Sequence, residues 1–584
     1  MPATITTRNM LGYKEFFPNE QQRPIDEYVE LLGQDLMQKT CSHFLSMFRL
    51  NGVPPVEQLL CEFFTFNELK CNDVPEYHKV AEQYRFIVKS TGVNKFSLIT
   101  VEPFLRMFMW LWQHPEVGKA NRESSPENML SFFKLVLIFN TKVAKDIASA
   151  RKQAETYLDQ TRYHRIQLAM TFPQSDFLNV DYMQLLVTQF YKAIELLNFI
   201  STEPDFALLN TAFLKDYNCD SKEEYFKSLA LAIILPLQRM TVGWNVINVP
   251  KEDNFEKSCD FLEKIAVNWD EDAISDQNDY LPLRSNPLLK LKRGEYRVIY
   301  DSFLIKKMYN GLVFILSGLV KKDEALFQAN LLGELRRRFS ENILLYTVMQ
   351  RIYGESGFKT ITGEEFQKAQ LKREPDYFMR DMNDIFLFES KDFYIKGKTK
   401  LSYNFSLIEP ALKKDRLEKA TQQLACNVAR VFRKQLILDD NYDVALLNIY
   451  PIVIVHDPLY SCPCLNYWVN GWFQQELKKI KAEAGMEVLD MQRIMPLTIV
   501  EVDTLILYQP HFQNDLMNLK ALLDSYHKQV DLNHFTFISK MQAENHALQS
   551  SIPFAEYVRR HQYDNDIEPN IKWLSEMLKG YGIN

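Results

Sequence analysis

The chain has 584 residues, 46% of them hydrophobic and 24% charged, and a formal net charge of −7. That length predicts several domains with ample apolar content for sizeable cores, and the negative balance excludes a generic basic nucleic-acid coat. The charge is unevenly spread: residues 1–290 carry about −8, residues 291–440 about +7 and the remainder about −6.

Residues 1–16 (MPATITTRNMLGYKEF) lack the basic-then-apolar pattern of a signal peptide. The first three hundred residues read as mostly α-helical. Segments such as IDEYVELLGQDLMQKTCSHFLSMFRL and DYMQLLVTQFYKAIELLNFI carry apolar residues at three-to-four spacing and few strand signals. Breaks fall near Asn51-Gly52, at 121–126 and at 270–287, and no fixed-period repeat marks a regular solenoid. RMFMWLW, residues 106–112, reads as core. The longest apolar stretches, 229–237 and 311–320, are too short to span a bilayer, so a cytoplasmic protein without membrane contact is expected. Residues 288–308 read as a hairpin around Lys292-Arg293-Gly294-Glu295 leading into a helix.

Further along, Phe339, Ile343, Leu344, Val348 and Ile352 form a helical stripe ending at Gly354. Residues 359–361 make a short strand. Tyr377-Phe378-Met379 and Ile385-Phe386-Leu387-Phe388 flank the polar segment 380–384 and read as a hairpin. ALKKDRLEKATQQLACNVARVF reads as one helix with Leu417, Ala420, Leu424 and Val428 on a face, and 451–455 as a buried final strand. Past residue 490, PLTIVEVDTLILYQ adds a strand and the start of a helix. Eight cysteines show no disulfide framework; Cys462-Pro463-Cys464 is the one close pair and reads as reduced thiols. His456 and Asp457 read as loop residues after the last strand.

The chemistry concentrates on the hairpin. Strand alternation puts Glu389 and Lys391 on one face, about 7 Å apart, and Asp376 on the partner strand reaches the same edge. Carboxylates so spaced suit Mg²⁺ or Mn²⁺, hard ions that prefer oxygen ligands. Such an ion stabilises charge on a phosphate and lowers the pKa of an attacking water, with Lys391 orienting that water or stabilising the developing charge. Pro375, Asp376, Glu389, Ser390 and Lys391 together resemble the signature of the PD-(D/E)XK nuclease superfamily. A second match, Pro204-Asp205 with Asp220-Ser221-Lys222, is set aside because its intervening residues read as helix and its Asp-Ser-Lys as an N-terminal cap.

The resemblance implies a fold class: multidomain, a large mostly α-helical N-terminal region plus an α/β restriction-endonuclease-like core (αβββαβ) with a helical C-terminal extension. The domains would be 1–287, helical and sensing or regulatory; 288–325, a hairpin and helix connector; 326–460, the nuclease core; and 461–584, the extension packed on it. The resemblance also adds Glu341 and Gln423 to the catalytic set of Asp376, Glu389 and Lys391. Metal ligation would fall to Asp376, Glu389, Glu341 and the Ser390 backbone carbonyl. Arg336, Arg337, Arg338, Lys396, Lys398, Lys400, Lys413 and Lys414 are candidate phosphate contacts in the basic block. The expected function is a Mg²⁺- or Mn²⁺-dependent endonuclease acting on DNA rather than RNA. The layout resembles that of bacterial anti-phage defence effectors, with a second copy or a defence-system protein as partner. The rival reading is a catalytically inactive nuclease-like interaction protein that works through its helical region.

Overall fold

Residues 385–390 and 449–455 are buried without a break, which is the pattern of strands covered on both faces rather than one. They form the middle of the largest sheet. The computed structural model describes residues 9–583 apart from 49–54, 66–69, 93–95, 157–160, 178–179, 239–244, 268–278, 437, 440, 484–489 and 533–538. The break expected at Asn51-Gly52 lies outside the described residues. The chain is mostly helical with small sheets, and it divides into two compact units. One comprises Met1–Ser149, Asn179–Leu186 and Leu214–Leu312; the other comprises Ala150–Leu178, Val187–Phe213 and Val313–Asn584. Neither unit is a single stretch of chain.

The first unit is helical around an aromatic core. Phe44 stacks on Phe63 with ring centroids 4.1 Å apart and on Phe104 at 5.7 Å. Strands β1 (Asn9–Met10) and β2 (Phe96–Ser97) pair in parallel. The hairpin expected after residue 288 is formed by β4 (Leu288–Lys292) and β5 (Glu295–Val298), and β3 (Val246–Asn248) joins β5 on its other side. The cysteine expectation is corrected here. Cys61 and Cys71 form a disulfide between the helix Val56–Phe63 and the turn Cys71–Asp73; the other six cysteines are free thiols. Cys462 and Cys464 are free, as expected; the disulfide escaped notice because a helix and the turn after it bring together cysteines ten residues apart.

The apolar stretch 311–320 lies within a longer helix, Asp301–Lys322. Among the described residues this is the one helix long and apolar enough to cross a membrane, with a mean hydropathy of 1.4 over its most apolar window, 56% of which is buried inside the protein.

The second unit is built on a five-stranded sheet: β6 (Lys359–Thr362), β7 (Tyr377–Asp381), β8 (Asp384–Lys391), β9 (Asn448–Val455) and β10 (Thr498–Glu501), in the order β10-β9-β8-β7-β6. β6, β7 and β8 are antiparallel; β8, β9 and β10 run parallel. A two-residue turn at Met382-Asn383 joins β7 to β8, and Met382 takes the positive φ of +49° that such tight hairpins need. Ahead of the sheet, residues 331–353 run on as one helical stretch, Leu335–Leu345 having the widened π-helical turn.

The helix Glu418–Phe432 packs on β8 and β9, and its Ala420, Leu424, Ala425 and Val428 are all buried. Truncating Leu424 there would cost about 2–5 kcal/mol, the usual range for a buried leucine. The single helix expected from Ala411 onward is broken. Lys414 and Asp415 leave helical geometry, with Asp415 at φ +56°, and the Arg416 guanidinium donates to the Ala411 carbonyl at the break. That bond satisfies a carbonyl freed at the end of the preceding helix.

Candidate functional site

The paired ends of β7 and β8 carry the site. Asp376 immediately precedes β7, and its N–H still donates to the Phe388 carbonyl at 3.0 Å, so the ladder holds Asp376 beside the end of β8. Its Oδ2 accepts from the Ser390 N–H at 2.6 Å. Glu389 is fully buried. Its Oε1 accepts from Lys391 Nζ at 2.6 Å, while its Oε2 is buried with no hydrogen-bond partner. Lys391 Nζ also donates to the Ser390 carbonyl at 3.1 Å, so the backbone oxygen expected to ligate a metal is engaged by the lysine.

Glu341, on the π-helical segment, completes the group electrostatically. Burial, then the Asp376 charge, pushes its carboxyl up to about 8, with Lys391 pulling the other way. Burial also raises Asp376, against Lys391 and the Ser390 N–H. Glu389 is pushed well up by burial and then by Asp376. Burial works against a charged Lys391, but Glu389 and Asp376 outweigh it and hold the ammonium above its ordinary range. Three carboxyls thus share one ammonium in a buried region, an electrostatic imbalance that a cation would relieve.

The donor set and the orphaned Glu389 Oε2 fit a divalent ion. As placed, however, among the described residues no three His, Cys, Asp or Glu side chains are grouped closely enough to hold one ion together. The Lys391 ammonium and the Ser390 N–H occupy the oxygens that would have to turn.

Of the two adjacent glutamines on Glu418–Phe432, Gln422 is exposed, whereas Gln423 is half-buried with its Oε1 unpartnered. The candidate phosphate contacts divide. Lys396, Lys398 and Lys414 are exposed, and Arg337 is exposed and paired with Glu334 at 2.7 Å. Lys413 lies over the Trp472 ring and Arg336 over Tyr394. Two are corrected: Lys400 is buried and paired with Asp176 at 2.8 Å, and Arg338 is bound to Glu203 and Asp205. Both cations are already paired with carboxylates of the chain, Lys400 in the interior and Arg338 near the surface. The same Arg338 pair engages Asp205 of the discarded motif, and Lys222 of that motif begins the helix Lys222–Gln238.

Ser340 and Asp392, beside Glu341, carried no sequence signal. The Ser340 hydroxyl donates to Asp392 Oδ2 at 2.7 Å, and the Asp392 charge adds to the lift on Glu341. His456, read as a loop residue, is buried and bonded to Ser390. Cys462 and Cys464 are both buried, and burial raises their thiols. No protein-family model, curated protein or solved structure matches the chain.

Proposed function

We propose that the chain is a divalent-metal-dependent nuclease of the PD-(D/E)XK type, cutting phosphodiester bonds of DNA in preference to RNA. The observation that carries the reading is the mutual electrostatic influence of Asp376, Glu389, Lys391 and Glu341 in a buried region, three carboxyls against one ammonium. The order of elements supports a restriction-endonuclease-like core: a helical stretch, three antiparallel strands, a helix, and a strand parallel to the third.

In this reading Asp376, Glu389 and Glu341 hold Mg²⁺ or Mn²⁺. A bound ion supplies charge stabilisation at the phosphate and a more acidic water. The chain's own part is to hold the scissile phosphate against Lys391, whose ammonium remains protonated and stabilises developing charge. Gln423, turned inward with a free amide oxygen, orients the attacking water. Exposed Lys396, Lys398 and Lys414 steer the polyanion towards the site. The acidic helical region attached to a basic cutting core supports a role as an anti-phage effector, tested by phage plating on cells expressing wild type or Glu389→Ala.

The direct test incubates purified protein with plasmid DNA and total RNA in Mg²⁺, Mn²⁺ or EDTA. Cleavage should require metal and disappear in Asp376→Ala and Glu389→Ala, while Lys391→Ala should slow it by roughly 10². Asp220→Ala should cut normally. Retained cleavage in Glu389→Ala sinks the assignment. A second reading, a nuclease-like protein that binds without cutting, is favoured by the closed Lys391–Glu389 pair, and metal-independent binding without cleavage would establish it.

A further inference from the structure

Ser390 stands between Glu389 and Lys391, so strand alternation turns its side chain to the opposite face of the sheet. It is fully buried there, and all its polar groups are engaged. The N–H donates to Asp376 Oδ2 at 2.6 Å, the carbonyl accepts from Lys391 Nζ at 3.1 Å, and the hydroxyl lies 2.7 Å from His456 Nε2. One residue therefore touches two members of the candidate centre through its backbone and a histidine through its side chain.

His456 is itself anchored. It follows directly on β9, whose register sets Ser390 opposite Ile454 and Lys391 opposite Val455. Its carbonyl accepts from Lys192 Nζ at 3.4 Å, and Lys192 is paired with Asp503 at 2.8 Å, with both side chains nearly inaccessible. Asp503 lies just past β10. The ends of three parallel strands are thus joined by a run of polar contacts, Asp503 to Lys192 to His456 to Ser390.

A buried imidazole and hydroxyl cost desolvation that a pair of aliphatic side chains in the same layer would not. What the pair supplies instead is orientation: it fixes the rotation of the β8 end, and with it the directions of the Ser390 N–H and carbonyl. We propose that His456 is a positioning residue for the Asp376, Glu389 and Lys391 centre, acting through the Ser390 hydroxyl. The inference rests on the nuclease reading for its catalytic consequence but not for its structural one.

The test uses the full-length chain with Ser390→Ala, which removes a single oxygen, His456→Phe, which keeps ring bulk, and His456→Gln, which returns an amide to the reach of Nε2. Ser390→Ala and His456→Phe should each lower kcat about tenfold with KM little changed, the usual scale for a supporting contact to a metal site. His456→Gln should recover most of the loss, and the double variant should be no worse than either single one. In metal-free protein, amide exchange at Ser390 should quicken in both single variants, while the β10 amides stay unchanged. Losses that multiply in the double variant, or an unchanged Ser390 amide in His456→Phe, overturn the proposal. A wild-type chain that never cleaves overturns the nuclease reading alone, and the exchange result then decides the clamp by itself.

Discussion

Burial lifts the Glu341 carboxyl to about 8, and the Asp376 charge adds to the lift. The folded chain therefore holds a proton that the unfolded chain releases between an ordinary carboxylate pKa and about 8. Stability falls as pH rises through that window, and the penalty is complete above about 8. Its size is on the order of a few kcal/mol. Glu341→Gln should match wild type near pH 5 and melt higher than wild type at pH 9 in EDTA; a melting difference that does not change with pH would refute this. The same variant should cut poorly, since a neutral amide relieves the repulsion that a metal is proposed to relieve. Asp376, Glu389 and Lys391 were legible in the sequence because a strand's period of two dictates which residues share a face. The fates of Arg338 and Lys400 were not, because their partners Glu203 and Asp176 lie 135 and 224 residues away. A charge count along the chain reports a basic block without showing which cations are already neutralised.

At the scale of elements, the helix Asp301–Lys322 carries a π-helical turn at Lys307–Gly311 that buries Lys307. The absent side chain at Gly311 leaves room for it, since a Cβ there would lie 2.9 Å from the lysine Cδ. Among the described residues Lys307 has no ion pair, and burial lowers its pKa to about 8. Because the folded value lies below the unfolded one, charging costs stability fully below about 8, and the cost fades as pH rises towards 10.5. Lys307→Met should stabilise the protein by about 2–3 kcal/mol at pH 7 and by little at pH 10, read from urea unfolding. An equal gain at both values would show that packing, not charge, sets the effect. Strands β7 and β8 were readable from short β-prone runs on either side of a polar turn, and β9 from a longer apolar run. The short helix Gly363–Lys368 had a signal that went unread: Thr362 and Glu365 form a capping box. π-Helical turns and the break at Asp415 leave no such trace, because they follow from packing rather than from local preference.

For the molecule as a whole, the assignment of 150–178 and 187–213 to the second unit matters more than any single contact. Those segments bring Asp176 to Lys400, Lys192 to Asp503 and Glu195 to Arg351. A fragment of residues 288–584 would lose the pairs of Lys400 with Asp176 and of Asp503 with Lys192, at a cost of several kcal/mol. It should be insoluble or lack a cooperative melt by circular dichroism; a soluble, sharply melting fragment would show these segments to be dispensable.

The contact between Lys192 and His456 spans 264 residues. At 5–20 residues per second a ribosome needs roughly 15–50 s to synthesise that interval. During that time the helices that will back the candidate centre are already made, while the strand they must hold is not. Whatever cutting power the centre has would be delayed to the last stages of synthesis, and chains released early would lack it.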